Sequence, residues 1–168
     1  MPVLINAFKI IHKKHPQTKL TIIGDGPAFK DLKNLVCQEN LAGSVIFTGS
    51  IPHDQLINSN LISSGDVFIT PSKTENQPMS LLEAMAFGLP IIGVDALGMP
   101  ELVHDNENGF LVQPDNSKKI AQHAIKLIEN RDLANKLGLD SLKLIKKYSL
   151  TKTAEELEKA YTNLVNEK

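Results

Sequence analysis

The sequence has little cysteine, no tryptophan and no long apolar run among its 168 residues. Its one cysteine, Cys37, cannot form an internal disulfide, which favours a reducing cytoplasmic location. No apolar run approaches the roughly 20 residues that span a bilayer, and the first residues lack the pattern of a secretory signal. A net charge of −1 and 5% aromatic residues argue against a nucleic-acid partner. What is present, 42% hydrophobic and 22% charged residues, indicates a globular chain.

Short apolar segments rich in β-branched residues alternate with segments whose apolar residues recur at helical spacing. Strands are predicted at residues 19–23, 44–47, 66–70, 90–94 and 109–112. Helices are predicted around residues 4–11 and at residues 28–39, 52–62, 79–87 and 99–103. Short apolar strands that are each followed by a helix are buried on both faces. The pattern therefore predicts an α/β fold with a Rossmann-like, doubly wound parallel sheet.

The character of the chain changes after residue 116. Three successive helices are predicted at residues 117–130, 132–146 and 151–166, with Ser149 and Thr151 available as helix caps. We expect residues 1–168 to form a single domain in which residues 117–168 are a helical tail. Cys37 is predicted to be a small core residue, and the five histidines are predicted to be solvated or to cap helices.

Ligands of open α/β sheets bind beyond the carboxyl ends of the strands. Those ends carry residues 24–27, 48–51, 71–75 and 95–98. Glycine lets backbone amides approach a ligand closely, and a following helix directs its positive end toward phosphate. Each loop alone is weak evidence, since residues 24–27 are more often a tight turn than a ligand loop.

Residues 71–90 carry more information. Glu75 lies where the chain enters a predicted helix, and Glu83 lies one to two turns inside it. A carboxylate can accept two hydrogen bonds from vicinal hydroxyls, and the amides near Met79 and Ser80 form a helix start suited to a diphosphate. The alternative is a glutamate that favours the helix dipole followed by an ordinary solvated one. Spacing alone favours neither interpretation.

The segment resembles a known signature. Glu75 and Glu83, with Leu-Glu-Ala-Met-Ala-Phe-Gly-Leu-Pro at residues 82–90, resemble the donor site of family 4 retaining glycosyltransferases of the GT-B fold. The similarity covers nearly the whole chain in the expected order, through residues 20–27, 45–49, 98–101 and 108–112. It implies the C-terminal, nucleotide-sugar-binding half of such an enzyme.

The resemblance also implies roles for individual residues. Glu83 holds the nucleotide ribose, and Glu75 holds hydroxyls of the donor sugar and belongs to the catalytic site. The other implied donor-binding residues keep the mouth of the site open, border the base, or contact the diphosphate at the helix start: Gly24, Gly26, Gly49, Ser50, Ile51, Pro78, Met79 and Ser80. The implied reaction is retaining transfer of a hexose from a UDP-sugar, with no metal or other cofactor. The implied location is cytoplasmic, with peripheral membrane attachment as an alternative for the full-length enzyme.

Three departures from the family pattern matter. Position 78 is proline where the family more often has glycine, so one backbone donor is lost, although proline is suited to the first residue of a helix. The arginine and lysine that neutralise the diphosphate have no match, and Lys73 lies nearby without matching either position. The acceptor-binding domain is also absent, so we expect no turnover from this chain alone.

The resemblance and the usual strand order place one absent strand between residues 20–23 and 66–69. Either those two strands close the gap, or another chain fills it, and a homodimer is one such arrangement. An alternative function is a non-catalytic partner that supplies or regulates a donor domain. A dinucleotide-binding or receiver domain is disfavoured, because no complete Gly-x-Gly-x-x-Gly loop or acidic cluster is present. The five histidines show no metal-ligand spacing, although His53 lies beside the predicted base loop.

Overall fold

Strands and helices alternate along the first 112 residues of the computed structural model, which describes residues 1–166. The strands are β1 Leu20–Ile23, β2 Val45–Gly49, β3 Phe68–Thr70, β4 Ile91–Val94 and β5 Gly109–Val112. The helices among them are α1 Pro2–Lys14, α2 Phe29–Gln38, α3 His53–Asn58, α4 Met79–Ala86 and α5 Met99–Leu102. Then follow α6 Ser117–Glu129, α7 Arg131–Ile145, a 3₁₀ helix Lys146–Tyr148 and α8 Leu150–Asn166. Each predicted strand and helix is present, with ends that differ by at most a few residues.

Each of the three C-terminal helices has a side-chain cap at its amino end. The Asn116 side chain accepts a hydrogen bond from the Lys119 amide at 3.0 Å, and the Asn130 side chain accepts one from the Leu133 amide at 2.9 Å. The Ser149 hydroxyl accepts a hydrogen bond from the Lys152 amide, which confirms the predicted cap at Ser149. Each side chain satisfies one of the amides that a helix start leaves without a partner.

The parallel strands form two sheets. One has the order β1-β2, with Leu20 opposite Val45, and the other has the order β3-β4-β5, with Phe68 opposite Ile91. β1 and β3 do not pair, and the break falls where the sequence predicts an absent strand. The α/β fold of parallel strands and helices is therefore confirmed. The alternative in which β1 and β3 close the gap is wrong.

Two clusters of buried side chains occupy the two faces of the strands. One cluster joins α1, α2 and α6 to both sheets, and the other joins α4 and α5 to β4. β4, which has a neighbour on each side, is buried along its whole length, whereas β3 is only half-buried. α1 packs against both α2 and α6, so it lies between helices that belong to different sheets.

Two helices expose residues of different kinds. Cys37 is exposed, so its predicted core position is wrong; the buried face of α2 is formed by Leu32 and Val36 instead. α8 is exposed at residues 150–165, including Leu157 and Tyr161. Among residues 1–166, no helix is both long and apolar enough to cross a lipid bilayer.

Candidate functional site

Two glycines join the loops that follow β1 and β2. Gly24 has a φ of 116° and Gly49 a φ of 70°, a region of backbone conformation that favours glycine. The Gly24 amide donates to the Gly49 carbonyl at 2.9 Å, which holds the two loops together. The Gly26 amide donates to the Asp25 carboxylate at 2.7 Å, within the same turn. The structure therefore brings these three predicted glycines to one place, at the carboxyl ends of the first sheet.

The loop after β2 leads directly into α3. Ser50 is exposed and Ile51 is half-buried. Pro52 precedes the helix, and His53 is its first residue. The predicted base-side loop therefore ends on a histidine at a helix start.

The start of α4 has free backbone donors. Pro78 is buried and has extended backbone, and its carbonyl accepts a hydrogen bond from the Leu81 amide at 3.0 Å. The Met79 and Ser80 amides have no acceptor among residues 1–166. Pro78 is thus the residue immediately before the helix, which begins at Met79. Although Pro78 has no backbone N–H to donate, the N–H groups of Met79 and Ser80 are both present as donors.

Glu83 contacts His53, which follows the predicted base-side loop at the start of α3. The Nε2 atom of His53 lies 2.9 Å from Oε1 of Glu83, and the donor must be the imidazole because an ionised carboxylate only accepts. The side chain of Glu83 is 14% exposed, while that of His53 is 72% exposed. The contact therefore joins α4 to the start of α3, and it leaves the Glu83 side chain mostly covered while that of His53 is mostly exposed.

Glu75 is placed differently. It is exposed in the loop before α4, and its side chain makes no hydrogen bond or ion pair with another residue in the described part of the chain. A cavity of about 420 Å³ lies beside this loop, lined by Asn76, Gln77, Leu97, Gly98, Glu101, Leu102 and Tyr148. None of the predicted donor-binding residues lines that cavity. The structure thus brings Glu83 into contact with the base-side loop and leaves Glu75 free in the loop that precedes the helix.

At the same ends of the second sheet, Lys73 has a partner, Asp115, that the sequence did not single out. Lys73 donates to the Asp115 carboxylate at 2.8 Å, and the two residues follow β3 and β5. Burial lowers the pKa of the Met1 amino group; Asp115 opposes this shift, and Lys73 adds to it. Asp115 lies in the loop just after β5, and this position at the end of a strand was the feature that could have identified it.

Parallel strands with helices on both faces and glycine loops at their carboxyl ends define an α/β domain of Rossmann-like type. Residues 1–141 match the family described as glycosyl transferases group 1, and the chain belongs to that family. An uncharacterized glycosyltransferase of Haemophilus influenzae is 33% identical over 154 residues, which are 91% of this chain and 42% of that protein.

Solved structures agree with this assignment. The C-terminal domain of a glycosyl transferase group 1 family protein, LpcC of Francisella tularensis, is similar with a TM-score of 0.79 and 30% identity. The alignment covers 89% of this chain and 79% of that one. A TarM variant of S. aureus, crystallised with ligands that include UDP, is similar with a TM-score of 0.84 and 26% identity. That alignment covers 98% of this chain and 32% of the TarM chain. This chain spans less than half the length of the curated relatives it matches.

Proposed function

We propose that this chain binds a nucleotide diphosphate sugar, specifically a UDP-hexose, as the donor domain of a retaining glycosyltransferase. The observation that carries the proposal is the pair of amides at Met79 and Ser80, which have no acceptor among residues 1–166 and lie one turn before Glu83, whose side chain is 14% exposed. The presence of UDP in the similar TarM structure supports the choice of nucleotide.

Each part of the donor has a matching group. The amides of Met79 and Ser80, at the positive end of α4, take the diphosphate. Glu83 accepts from the ribose hydroxyls, and the loop through Gly49, Ser50 and Ile51 borders the base. Glu75, which is exposed before the helix, takes hydroxyls of the donor sugar and is the catalytic candidate. Gly24 and Gly26 leave the mouth of the site open, since a Cβ at either position would meet nothing within 4 Å.

Transfer itself needs a second binding surface. The acceptor must be held against the donor in a cleft from which water is excluded. We propose that an N-terminal acceptor-binding domain of the kind found in GT-B enzymes supplies that surface. Without it, this domain binds the donor and does not turn over. The proposed mechanism uses no metal, so a chelator is expected to leave donor binding unchanged.

A second candidate function is a non-catalytic partner that supplies a donor domain to another glycosyltransferase chain. The exposure of α8 along residues 150–165 favours it, because an amphipathic helix of this kind leaves its apolar side chains available to a neighbour. Transfer that appears only when a separate acceptor-binding chain is added would distinguish this candidate from the first.

Calorimetric titration with UDP and UDP-glucose tests the proposal. Glu83→Ala is expected to weaken the binding of both ligands by about tenfold or more, because a hydrogen bond to a charged group contributes about 1.5–3 kcal/mol. Glu75→Ala is expected to weaken UDP-glucose binding and to leave UDP binding unchanged. Glu107→Ala is the matched control, since Glu107 is an exposed glutamate before β5, at the opposite ends of the strands. Equal heats for the wild type and Glu83→Ala would remove Glu83 from the site.

A further inference from the structure

The contact between His53 and Glu83 joins two separate parts of the site. The side chain of His53, the first residue of α3, is 72% exposed, whereas that of Glu83 in α4 is 14% exposed. The backbone of His53 already lies in a helix that follows Pro52, so α3 itself does not depend on the contact.

The geometry leaves Glu83 able to bind a ligand while His53 is in place. A carboxylate has about four acceptor positions, and His53 takes one of them, on Oε1. Oε2 has no partner among residues 1–166. A vicinal diol needs two acceptor positions, so the diol and the imidazole fit on the same carboxylate. The imidazole also restricts the rotation of the Glu83 side chain, which lowers the entropy cost of ordering it around a ligand.

We propose that His53 is a positioning residue that holds Glu83 for the 2′- and 3′-hydroxyls of a ribonucleotide. This inference rests on the proposed function. His53 does not touch the reacting atoms; it acts through Glu83. The consequence is selectivity: the site prefers a ribonucleotide over its 2′-deoxy analogue, and His53 sustains that preference.

The ratio of two affinities tests this role. UDP and 2′-deoxy-UDP are titrated against the wild type, His53→Ala and His53→Gln. The wild type is expected to bind UDP about tenfold more tightly, since the deoxy analogue leaves one charged acceptor without its hydrogen bond. His53→Ala is expected to bring the two affinities within about twofold to threefold, as Glu83 loses its fixed orientation. His53→Gln is expected to restore most of the ratio, because its side-chain amide can donate to Glu83.

His15→Ala is the matched control. His15 contacts Glu129 through the same atoms, Nε2 and Oε1, at 3.2 Å, and this pair joins the end of α1 to the end of α6. The His15 variant is expected to keep the wild-type ratio. Thermal unfolding of each variant shows that it is folded.

The outcomes separate the two proposals. A wild type that binds UDP and its deoxy analogue equally, or neither, overturns the ribose assignment of Glu83 and this inference with it. A wild type that prefers UDP, with an unchanged ratio in His53→Ala, overturns this inference alone. The same follows if His53→Ala weakens both ligands by the same factor, which is what a merely structural role predicts.

Discussion

His123 lies on α6 with its ring stacked on Phe110 of β5. The ring centroids are 4.3 Å apart and the planes differ by 15°. Burial lowers the pKa of the His123 imidazole below its ordinary value of 6.5; Lys119 and Lys126 lower it further, and Asp105 opposes them. Its Nδ1 is buried and has no hydrogen-bond partner in the part of the chain that the structure describes. The folded state therefore favours the neutral ring.

This environment predicts acid sensitivity. The unfolded chain takes up a proton at His123 near pH 6.5, whereas the folded state takes it up only at lower pH. The free energy of unfolding should therefore fall as the pH decreases from about 7 through the ordinary pKa of histidine. The His123→Phe variant should lack this pH-dependent part of the free energy of unfolding. Urea denaturation at several pH values between about 7.5 and 5 measures it.

His104→Ala is the control for the acid sensitivity, because it also removes a histidine but one whose side chain makes no hydrogen bond or ion pair among residues 1–166. It should keep the slope of the wild type. Parallel pH profiles for the wild type and His123→Phe would show that His123 does not contribute.

The positions of site residues relative to one another could be predicted from sequence where the residues share one helix. Met79, Ser80 and Glu83 share one helix, so their spacing placed them together. The partner of Glu83 was not predictable, because His53 lies 30 positions away and only the fold joins them. The expectation of a solvated or capping role failed at His123, since the stacking on Phe110 depends on how α6 packs over β5.

α4 and α7 pack closely because glycines lie at their contact. Gly138 in α7 faces the carbonyl oxygen of Gly88, and a Cβ at Gly138 would collide with that oxygen. Gly88 follows α4 with a φ of 72°, a conformation that ends helices. Ser141 donates from its hydroxyl to the Leu89 carbonyl at 2.8 Å, on the same side of α7. The two helices therefore tolerate no added atom at position 138.

Gly138→Ala should destabilise the domain by about 1–3 kcal/mol, because the helices must separate to admit the methyl group. Gly43→Ala is the control, since a Cβ there meets nothing within 4 Å. The control should change stability by less than about 0.5 kcal/mol. Chemical denaturation measures both variants. If the Gly138→Ala and Gly43→Ala variants were equally stable, the contact between α4 and α7 would accommodate the added methyl group, and the prediction would be wrong.

Helices and strands were predictable because turn residues separate them and their apolar spacing is regular. The prediction failed at the end of α3, which was expected to reach residue 62 and stops at Asn58. The reason is local: the Ser59 hydroxyl donates to the Leu56 carbonyl, and Asn58 donates to the Asp54 carbonyl. Short polar side chains of this kind compete for the backbone groups that a longer helix would use.

At the scale of the whole molecule, the break between the sheets leaves β1 and β3 each with one unpaired edge. The strand order allowed the position of the break to be predicted, but not whether it would close. In the structure, α1 packs against α2 over one sheet and against α6 over the other, so one helix spans the break.

Unpaired edges predict self-association. Exposed strand edges present amides and carbonyls that pair with other chains. Sedimentation velocity should show a larger species that grows with protein concentration. Thr21→Lys should reduce it, because Thr21 is exposed on β1 and a charge on an edge strand opposes pairing.

Gln38→Lys is the control for this experiment, since it adds the same charge to an exposed position of α2, away from the unpaired edge. It should associate as the wild type does. A wild type that stays monomeric at all concentrations would show that the edges are protected in solution.

The hydrogen bond from His53 to Glu83 connects the segment after β2 with the helix after β3, so it bridges elements of different sheets. Because the contact spans the break, a change in the distance between the two sheets would alter it. Under the proposed function, that distance and the binding of a nucleotide at Glu83 would therefore be linked, so that each would shift the equilibrium of the other.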